Sequence, residues 1–402
     1  MTSQHVAVLS GGSEIVSAAL IEEFLSNGFR PVIIALGRNS ILRSLAKQMP
    51  FEELAWPPTD PASTANQLAT ILKAFGSTEN RPMPLFPTED GGLRLLLETR
   101  DLIEPWGVFG SARALRLGGL DKAELFSFLD RPGFVDLIAP FRIAADVTQA
   151  ISAVALFDGD AVIKPALKPL SMNMAGMRAK AFLSRDFNET QVLEGALKAV
   201  WHLSDRWVIQ PRLRVPPAGE TVVWAVRDSM GETHCIAANE IWKQPRYGGT
   251  ACWVRIASDP AGLFANTKTL LEKINFIGVC EIPFLLDDNN NYRPLELNPR
   301  PWLQIGLPFR AGVPMASAAA RALQNEIIQP LPTPRSCSWV NIERLALAAF
   351  SGEQGGRWDS TRVAWRAWRS AVAVGIHDTN LLGVRRRWLL RVLLRLLNVP
   401  RR

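Results

Sequence analysis

Cysteine and histidine are scarce in this chain, with four of each among 402 residues. Cys235, Cys252, Cys280 and Cys337 show no paired spacing. A chain of this length needs no disulfide framework, so reduced thiols in a cytosol are expected. Because both residue types are scattered, no structural zinc site is encoded. The opening M-T-S-Q-H-V-A-V-L-S-G-G lacks a basic region and a long apolar run, so a signal peptide is not expected. Internal repeats are also missing. What is present is an ordinary globular composition, 48% hydrophobic, over a length suited to two or three domains.

The net charge of +7 suggests a nucleic-acid partner until its distribution is read. Eleven arginines and two aspartates fall between Arg357 and Arg402, a local charge of +9, leaving about −2 for everything before. The basicity belongs to one C-terminal segment, and no nucleic-acid partner is expected for the body.

The first third alternates strand and helix. H-V-A-V-L, P-V-I-I-A-L, E-E-L-A-W and P-M-P-L-F-P read as strands. Amphipathic stretches at Glu14 to Ser26 and Ala62 to Phe75 separate them, the rhythm of a parallel sheet with crossover helices. Gly11 and Gly12 sit at the first strand-to-helix turn, a place where phosphate binds in such sheets. Without a longer glycine fingerprint that signal is weak, and a simple tight turn is the better reading. From Ala161 onward the strands pair as antiparallel hairpins, with helices near Asn188–Trp201 and Ala261–Ile274. Asp287 to Asn291, D-D-N-N-N, is turn-rich and joins two late strands. Leu331 to Ser338, with L-P-T-P-R-S, reads as a linker.

Past that turn, R-P-L-E-L-N-P-R-P-W gathers Glu296, Asn298 and Arg300 between prolines. Strand alternation places Glu296 and Asn298 on one face. Pro299 and Pro301 hold the residues before them extended. Glu and Asn supply the oxygen ligands that Mg²⁺ prefers, and Arg300 a planar fork for carboxylate or phosphate. A polar strand end with a surface salt bridge accounts for the same residues equally well.

Three segments in order decide between these readings: F-P-T-E-D-G-G-L-R-L-L-L-E-T-R-D-L-I, L-D-K-A-E-L-F-S-F-L-D, and G-V-C-E-I-P-F-L-L-D-D-N-N-N-Y-R-P-L-E-L-N-P-R-P-W. Together they resemble the ATP-grasp superfamily, most nearly its D-aspartate-ligase-like carboxylate–amine ligases, over about Val6 to Leu323. The resemblance implies an α/β protein in four parts. Residues 1–115 would form a Rossmann-like parallel-sheet domain, and 116–215 the small lid subdomain and linker. Residues 216–330 would form the catalytic subdomain, and 331–402 a C-terminal extension with a basic helix.

The resemblance also implies roles, residue by residue. Lys164 and Lys122 would face nucleotide phosphates, and Lys180 the adenine edge or the phosphates. Ser171, in the loop K-P-L-S-M-N-M-A-G-M, would sit in a lid over the triphosphate, although that loop keeps only Gly176 where such lids are glycine-rich. Gln210, Arg212 and Leu213 in W-V-I-Q-P-R-L would line adenine, and Glu220 would hold ribose hydroxyls. Glu296 and Asn298 would ligate Mg²⁺, with Mn²⁺ as an alternative. Counting back from Glu296 puts the remaining metal carboxylate at Pro283, which cannot ligate, so Glu281 is the substitute on the same strand face. Arg300, Trp302 and Arg246 would meet the substrates, with Gln304 and Arg310 near the acceptor pocket. The implied activity is ATP-dependent joining of a small-molecule carboxylate to an amine through an acyl phosphate, and a homodimer is compatible with it. Pro283 and the glycine-poor lid motivate a second reading, a catalytically degenerate ATP-binding module brought to membranes by its tail.

The tail V-R-R-R-W-L-L-R-V-L-L-R-L-L-N-V-P-R-R places Arg387, Arg391 and Arg395 on one helical stripe beside Trp388. Its apolar stretch is too short and too charged to span a bilayer. It suits an interfacial helix on an anionic membrane, at the inner face for a cytoplasmic protein, and R-V-A-W-R-A-W-R with Trp365 and Trp368 would share that surface.

Overall fold

The computed structural model describes residues 4–37, 41–110, 120–131, 137–167, 181–244, 249–260, 262–351 and 357–373. Lys180, Ser171, Arg246 and the arginine-rich tail with Arg387, Arg391 and Arg395 lie outside them.

The N-terminal part is a five-stranded parallel sheet in the order β3-β2-β1-β4-β5. Its strands are β1 (His5–Ser10), β2 (Arg30–Leu36), β3 (Phe51–Leu54), β4 (Met83–Pro87) and β5 (Gly107–Val108). β1, β2 and β4 are near-continuous apolar runs because both faces of such a sheet are covered. Helix α1 (Glu14–Ser26) falls where the sequence pattern places it, and α2 (Pro61–Ala74) is capped by Asp60, whose carboxylate accepts from the Ala62 N–H. α3 (Asp90–Glu98) leaves the C-terminal end of β4.

α1 is buried nearly all round, since it lies between this sheet and the rest of the molecule. Two of its acids make the junction. Glu22 accepts from Arg310 Nη2 at 2.8 Å, and the fully buried Glu23 accepts from the Ser317 N–H at 2.7 Å. Ser317 opens the helix Met315–Ala322, whose N-terminal dipole favours an acid there. Burial nevertheless pushes the Glu23 carboxyl up to about 8. A carboxyl raised on folding stabilises fully below its unfolded pKa and loses that contribution as pH climbs through the folded value. Glu23→Gln keeps the acceptor oxygen and cannot ionise. Its melting temperature relative to wild type is therefore expected to rise between about pH 5 and pH 9, by an amount worth a few kcal/mol at roughly 1.4 kcal/mol per pKa unit. Parallel melting curves for the two proteins across that range would refute the assignment.

A four-stranded antiparallel sheet forms the lid subdomain, in the order β6-β9-β7-β8. It is built from β6 (Arg142–Ala144), β7 (Ala161–Pro165), β8 (Phe182–Leu183) and β9 (Trp207–Pro211). Helices at Val147–Ala155 and Thr190–Val200 close a core around Trp207.

The third sheet has seven strands in the order β14-β13-β10-β11-β12-β15-β16. β10 (Glu220–Arg227), β11 (Thr233–Gln244), β12 (Thr250–Ala257) and β13 (Gly278–Leu286) are antiparallel, and β14 (Tyr292–Pro294) follows the D-D-N-N-N turn. Here one sequence expectation changes. Ser338, read as the end of a linker, begins β15 (Ser338–Val340), which pairs with β12, and β16 (Ala371–Ala373) pairs with β15 in parallel. The segment after residue 330 thus extends the seven-stranded sheet and covers the edge of β12, burying Trp339 and Val340. All four cysteines are free, as expected.

Candidate functional site

A cavity of about 1180 Å³ runs between the lid sheet, the seven-stranded sheet and the N-terminal domain. That volume is ample for a nucleotide with a second small molecule.

The lid sheet supplies its floor. In β7, Ala161 and Ile163 face the core while Val162 and Lys164 face the cavity, the period-two alternation of a strand. Val162 lies opposite Gln210 in β9, so Lys164, two residues along the same face, reaches Gln210 diagonally. Its Nζ donates to Gln210 Oε1 at 3.3 Å. The sequence reading gave Gln210 to an adenine amino group; its oxygen is instead engaged by Lys164. Its Nε2 is buried and has no partner among the described residues, a donor in want of an acceptor. Arg212 lines the cavity with its polar groups turned to Asp160. Its backbone N–H donates to the Asp160 carbonyl at 3.0 Å, and its Nε to both Asp160 carboxylate oxygens. Leu213 remains on the cavity wall.

Lys122 begins helix Lys122–Leu129, which is capped by Asp121 accepting from the N–H groups of Ala123 and Glu124. Its own N–H donates to the Ala166 carbonyl at 2.8 Å, tying this helix to the end of β7. Its Nζ lies 3.6 Å from Glu296 Oε2. Lys164 is lowered to about 8, by burial first and by Lys122 as a like charge, with Glu296 acting the other way. Two ammonium groups held this close and out of water are a site for an anion.

The carboxylates converge on the same point. The pairing of Phe284 with Pro294, Leu285 with Arg293 and Leu286 with Tyr292, if continued, would set Glu281 opposite Leu297. Instead Glu281 and Asn298 exchange backbone hydrogen bonds of 3.0 and 2.8 Å. One extra residue on the second strand shifts the pairing, as in a β-bulge, and brings Glu281 and Asn298 onto one face. Leu297 points into the core at 3% exposure, leaving Glu296 and Asn298 toward the cavity. Asn298 Nδ2 bridges Glu281 Oε1 at 3.4 Å and Glu296 Oε1 at 3.2 Å.

Pro283, the position reached by counting back from Glu296, pairs with Val222 and its carbonyl accepts the Leu295 N–H, while the offset in pairing sets Glu281 beside Asn298. Burial, then the charge of Glu240, pushes Glu281 up to about 8, although the Trp224 indole N–H donates to it at 3.0 Å. A divalent cation is the counter-charge this pair of acids wants, and with the Asn298 amide turned to offer its oxygen the donor set suits Mg²⁺. No group of three or more His, Cys, Asp or Glu side chains able to hold a metal occurs among the described residues.

Arg300 lines the adjoining limb. Its Nε donates to Asp90 Oδ1 at 2.6 Å, its Nη2 pairs with the same carboxylate, and its Nη1 donates to the Pro301 carbonyl at 3.0 Å. Trp302 is 1% exposed and stacked on Trp224 with ring centroids 5.2 Å apart, so it acts chiefly as packing behind Glu281. Gln304, 3% exposed, also lines the cavity. Arg310 is taken by Glu22, away from an acceptor pocket.

Glu220, expected at ribose hydroxyls, lies opposite Glu240 in the β10–β11 pairing. Lys243 Nζ bridges them, 2.6 Å from Glu220 and 3.0 Å from Glu240. Burial would lower Lys243, but the two acids raise it; burial raises Glu220 against the pull of Lys243. Glu240, Lys243 and Asp90 were missed by sequence reasoning. Alternation sets residues three apart on opposite faces, and only the register shifts around Trp242 turn Glu240 and Lys243 the same way. At the N-terminal sheet, Glu89 accepts from the Gly12 N–H at 2.6 Å, and the Gly11 N–H donates to Thr88 Oγ1, so the glycine turn is filled by the chain's own side chains.

No protein-family model and no curated protein sequence matches the chain. Solved structures do match. The N5-carboxyaminoimidazole synthetase of Staphylococcus aureus complexed with ADP has a TM-score of 0.64 at 14% identity, over 87% of this chain and 85% of that one. The N5-carboxyaminoimidazole synthase of Aspergillus clavatus, in complex with ADP and 5-aminoimidazole ribonucleotide, has a TM-score of 0.62 at 14% identity, over 87% of both chains. The biotin carboxylase of Campylobacter jejuni has a TM-score of 0.60 at 13% identity, over 83% of this chain and 74% of that one. None of these three is a D-aspartate ligase, and at 13–14% identity the likeness shows the fold alone. From the parallel N-terminal sheet through the lid sheet to the Glu296–Arg300 segment, this chain has the ATP-grasp fold.

Proposed function

We propose that the protein is an ATP-dependent carboxylate–amine ligase. The observation that carries this reading is the meeting of Lys122 and Lys164 with Glu281, Glu296 and Asn298 in one cavity. Adenine would lie toward Leu213, and Gln210 Nε2, with no partner among the described residues, offers a donor close to Lys164. Mg²⁺ on Glu281, Glu296 and Asn298 would neutralise charge between phosphate oxygens. Activating a carboxylate at the γ-phosphoryl brings two anions together, and fixed cations facing that charge are the main catalytic contribution. Lys122 and Lys164 would hold the transferring group, and Arg300 the carboxylate that becomes the acyl phosphate. An amine then displaces phosphate and forms the amide. No side-chain base is demanded, since positioning and charge supply most of the rate. Glu281 favours catalysis over a degenerate nucleotide binder, because it restores the carboxylate that Pro283 lacks. ADP release from MgATP with a panel of amino acids and other carboxylate–amine pairs, followed by mass spectrometry of products, tests the proposal. ADP release by no pair would refute it.

The C-terminal surface supports a second, compatible reading: peripheral binding to anionic membranes. On the helix Arg357–Ser370, Ala367 and Ser360 face inward while Trp365 and Trp368 are 54% and 48% exposed. Exposed Arg362, Arg366 and Arg369 flank them. Interleaved tryptophan and arginine suit the headgroup level, and no helix among the described residues is long and apolar enough to cross a membrane. Each arginine near such a surface is worth ~1 kcal/mol, so replacing all three by alanine should weaken binding to phosphatidylserine-containing vesicles roughly 100-fold. Unchanged co-sedimentation, in this variant and after deletion of residues beyond Leu381, would remove the membrane reading.

A further inference from the structure

The guanidinium of Arg300 is aimed from another part of the molecule. Pro299 and Pro301 stiffen the backbone around it, but an arginine side chain keeps its own rotamer freedom. Three groups compete for it. Glu281 and Glu296 lie near enough to act on its charge, and Asp90 accepts directly from Nε at 2.6 Å. Asp90 stands 210 positions away in sequence, as the first residue of α3, and both side chains are largely shielded, at 17% and 22% exposure. The Pro301 carbonyl fixes the remaining edge through Nη1 at 3.0 Å.

Without Asp90 the nearest acids would be the carboxylates assigned to the metal. A guanidinium drawn onto them would both leave the substrate limb and occupy the metal's ligands. Helix α3, which Asp90 begins, follows the C-terminal end of β4, beside β1, where the order β3-β2-β1-β4-β5 reverses direction. Parallel sheets meet their ligands at that point. Resting on the ligase reading above, we propose that Asp90 is the positioning residue of Arg300, holding it toward the substrate limb and off Glu281 and Glu296. The N-terminal sheet then takes part in the reaction and is more than a support.

Steady-state ADP release should be compared for wild type, Asp90→Ala, Asp90→Asn, Arg300→Ala and the Asp90→Ala/Arg300→Ala double variant. Loss of a group that orients a site residue typically costs 10–100-fold, and Asp90→Ala is expected to lower kcat by about that factor while KM for ATP changes by less than about twofold. Asp90→Asn keeps an oxygen acceptor and is expected to recover much of the loss. On the Arg300→Ala background, Asp90→Ala should add less than about a twofold loss, because the partner it serves is gone. A mere lock between domains predicts losses that multiply, and that result, or wild-type kcat in Asp90→Ala, would overturn the proposal. Nitrogen-15 arginine labelling reads the positioning without turnover: the Arg300 Nε–H should be protected from exchange in wild type and exposed in Asp90→Ala. Equal protection in both would overturn the proposal whatever the reaction. Failure of wild type to release ADP with any substrate would count against the ligase reading alone.

Discussion

Replacing Lys164 by alanine is expected to lower substrate-dependent ADP release by about 100-fold or more, the scale seen when one preorganised charge-stabilising donor is removed. The same change should leave the fold intact or raise its melting temperature. Lys164 is lowered to about 8, first by burial and then by the nearby charge of Lys122. A lysine whose folded pKa is depressed costs stability wherever it must stay protonated, here at neutral and acidic pH. Discounted for its partial exposure, that cost is roughly 2 kcal/mol, which the alanine variant is relieved of. Lower activity with unchanged or higher stability is the signature of a group kept for function at the expense of folding. Glu296→Ala, which removes the partner of Lys122, should show a comparable loss of activity. If both variants form product at the wild-type rate, the roles given to these residues are wrong.

Glu281→Gln is expected to raise the Mg²⁺ concentration for half-maximal ADP release at least about tenfold and to lower kcat about 100-fold, since metal charge at the phosphoryl oxygens is worth several kcal/mol. The substitution is chosen to spare the packing. A glutamine oxygen still accepts the Trp224 N–H, and the stack of Trp224 on Trp302 stays in place. Pro283→Ala is the matched control. Its side chain offers no ligand, and its backbone role, accepting the Leu295 N–H, survives the change. The Mg²⁺ dependence of Pro283→Ala should equal wild type. A wild-type Mg²⁺ dependence in Glu281→Gln would mean that the metal, if bound, does not use this carboxylate.

The difference between positions 281 and 283 illustrates what a sequence holds in plain view and what it hides. Strand and helix type follow from local periodicity, and the parallel sheet, α1 and the antiparallel hairpins lie where that periodicity puts them. The segment from Glu296 to Arg300 advertised its chemistry because prolines and polar residues rarely gather so closely. Cross-strand partners are another matter. Glu281 meets Asn298 only because the pairing slips by one residue, and Glu240 meets Lys243 only because β11 is irregular at Trp242. Neither shift leaves a compositional mark. Asp90 sat inside a segment whose family resemblance was visible, but a contact spanning 210 residues depends on how two domains meet. The strand Ser338–Val340 was masked by the prolines before it, which read as linker although Trp339 and Val340 go on to pair. Trp302 lines the cavity and also stacks on Trp224, a tertiary contact that its neighbours in sequence do not announce.

The most direct test is a crystal structure of the protein with MgADP. The nucleotide phosphates should lie between Lys122 and Lys164, with magnesium on Glu281, Glu296 and Asn298 and adenine against Leu213. Nucleotide bound elsewhere, or those side chains keeping their mutual contacts with the nucleotide present, would contradict the account.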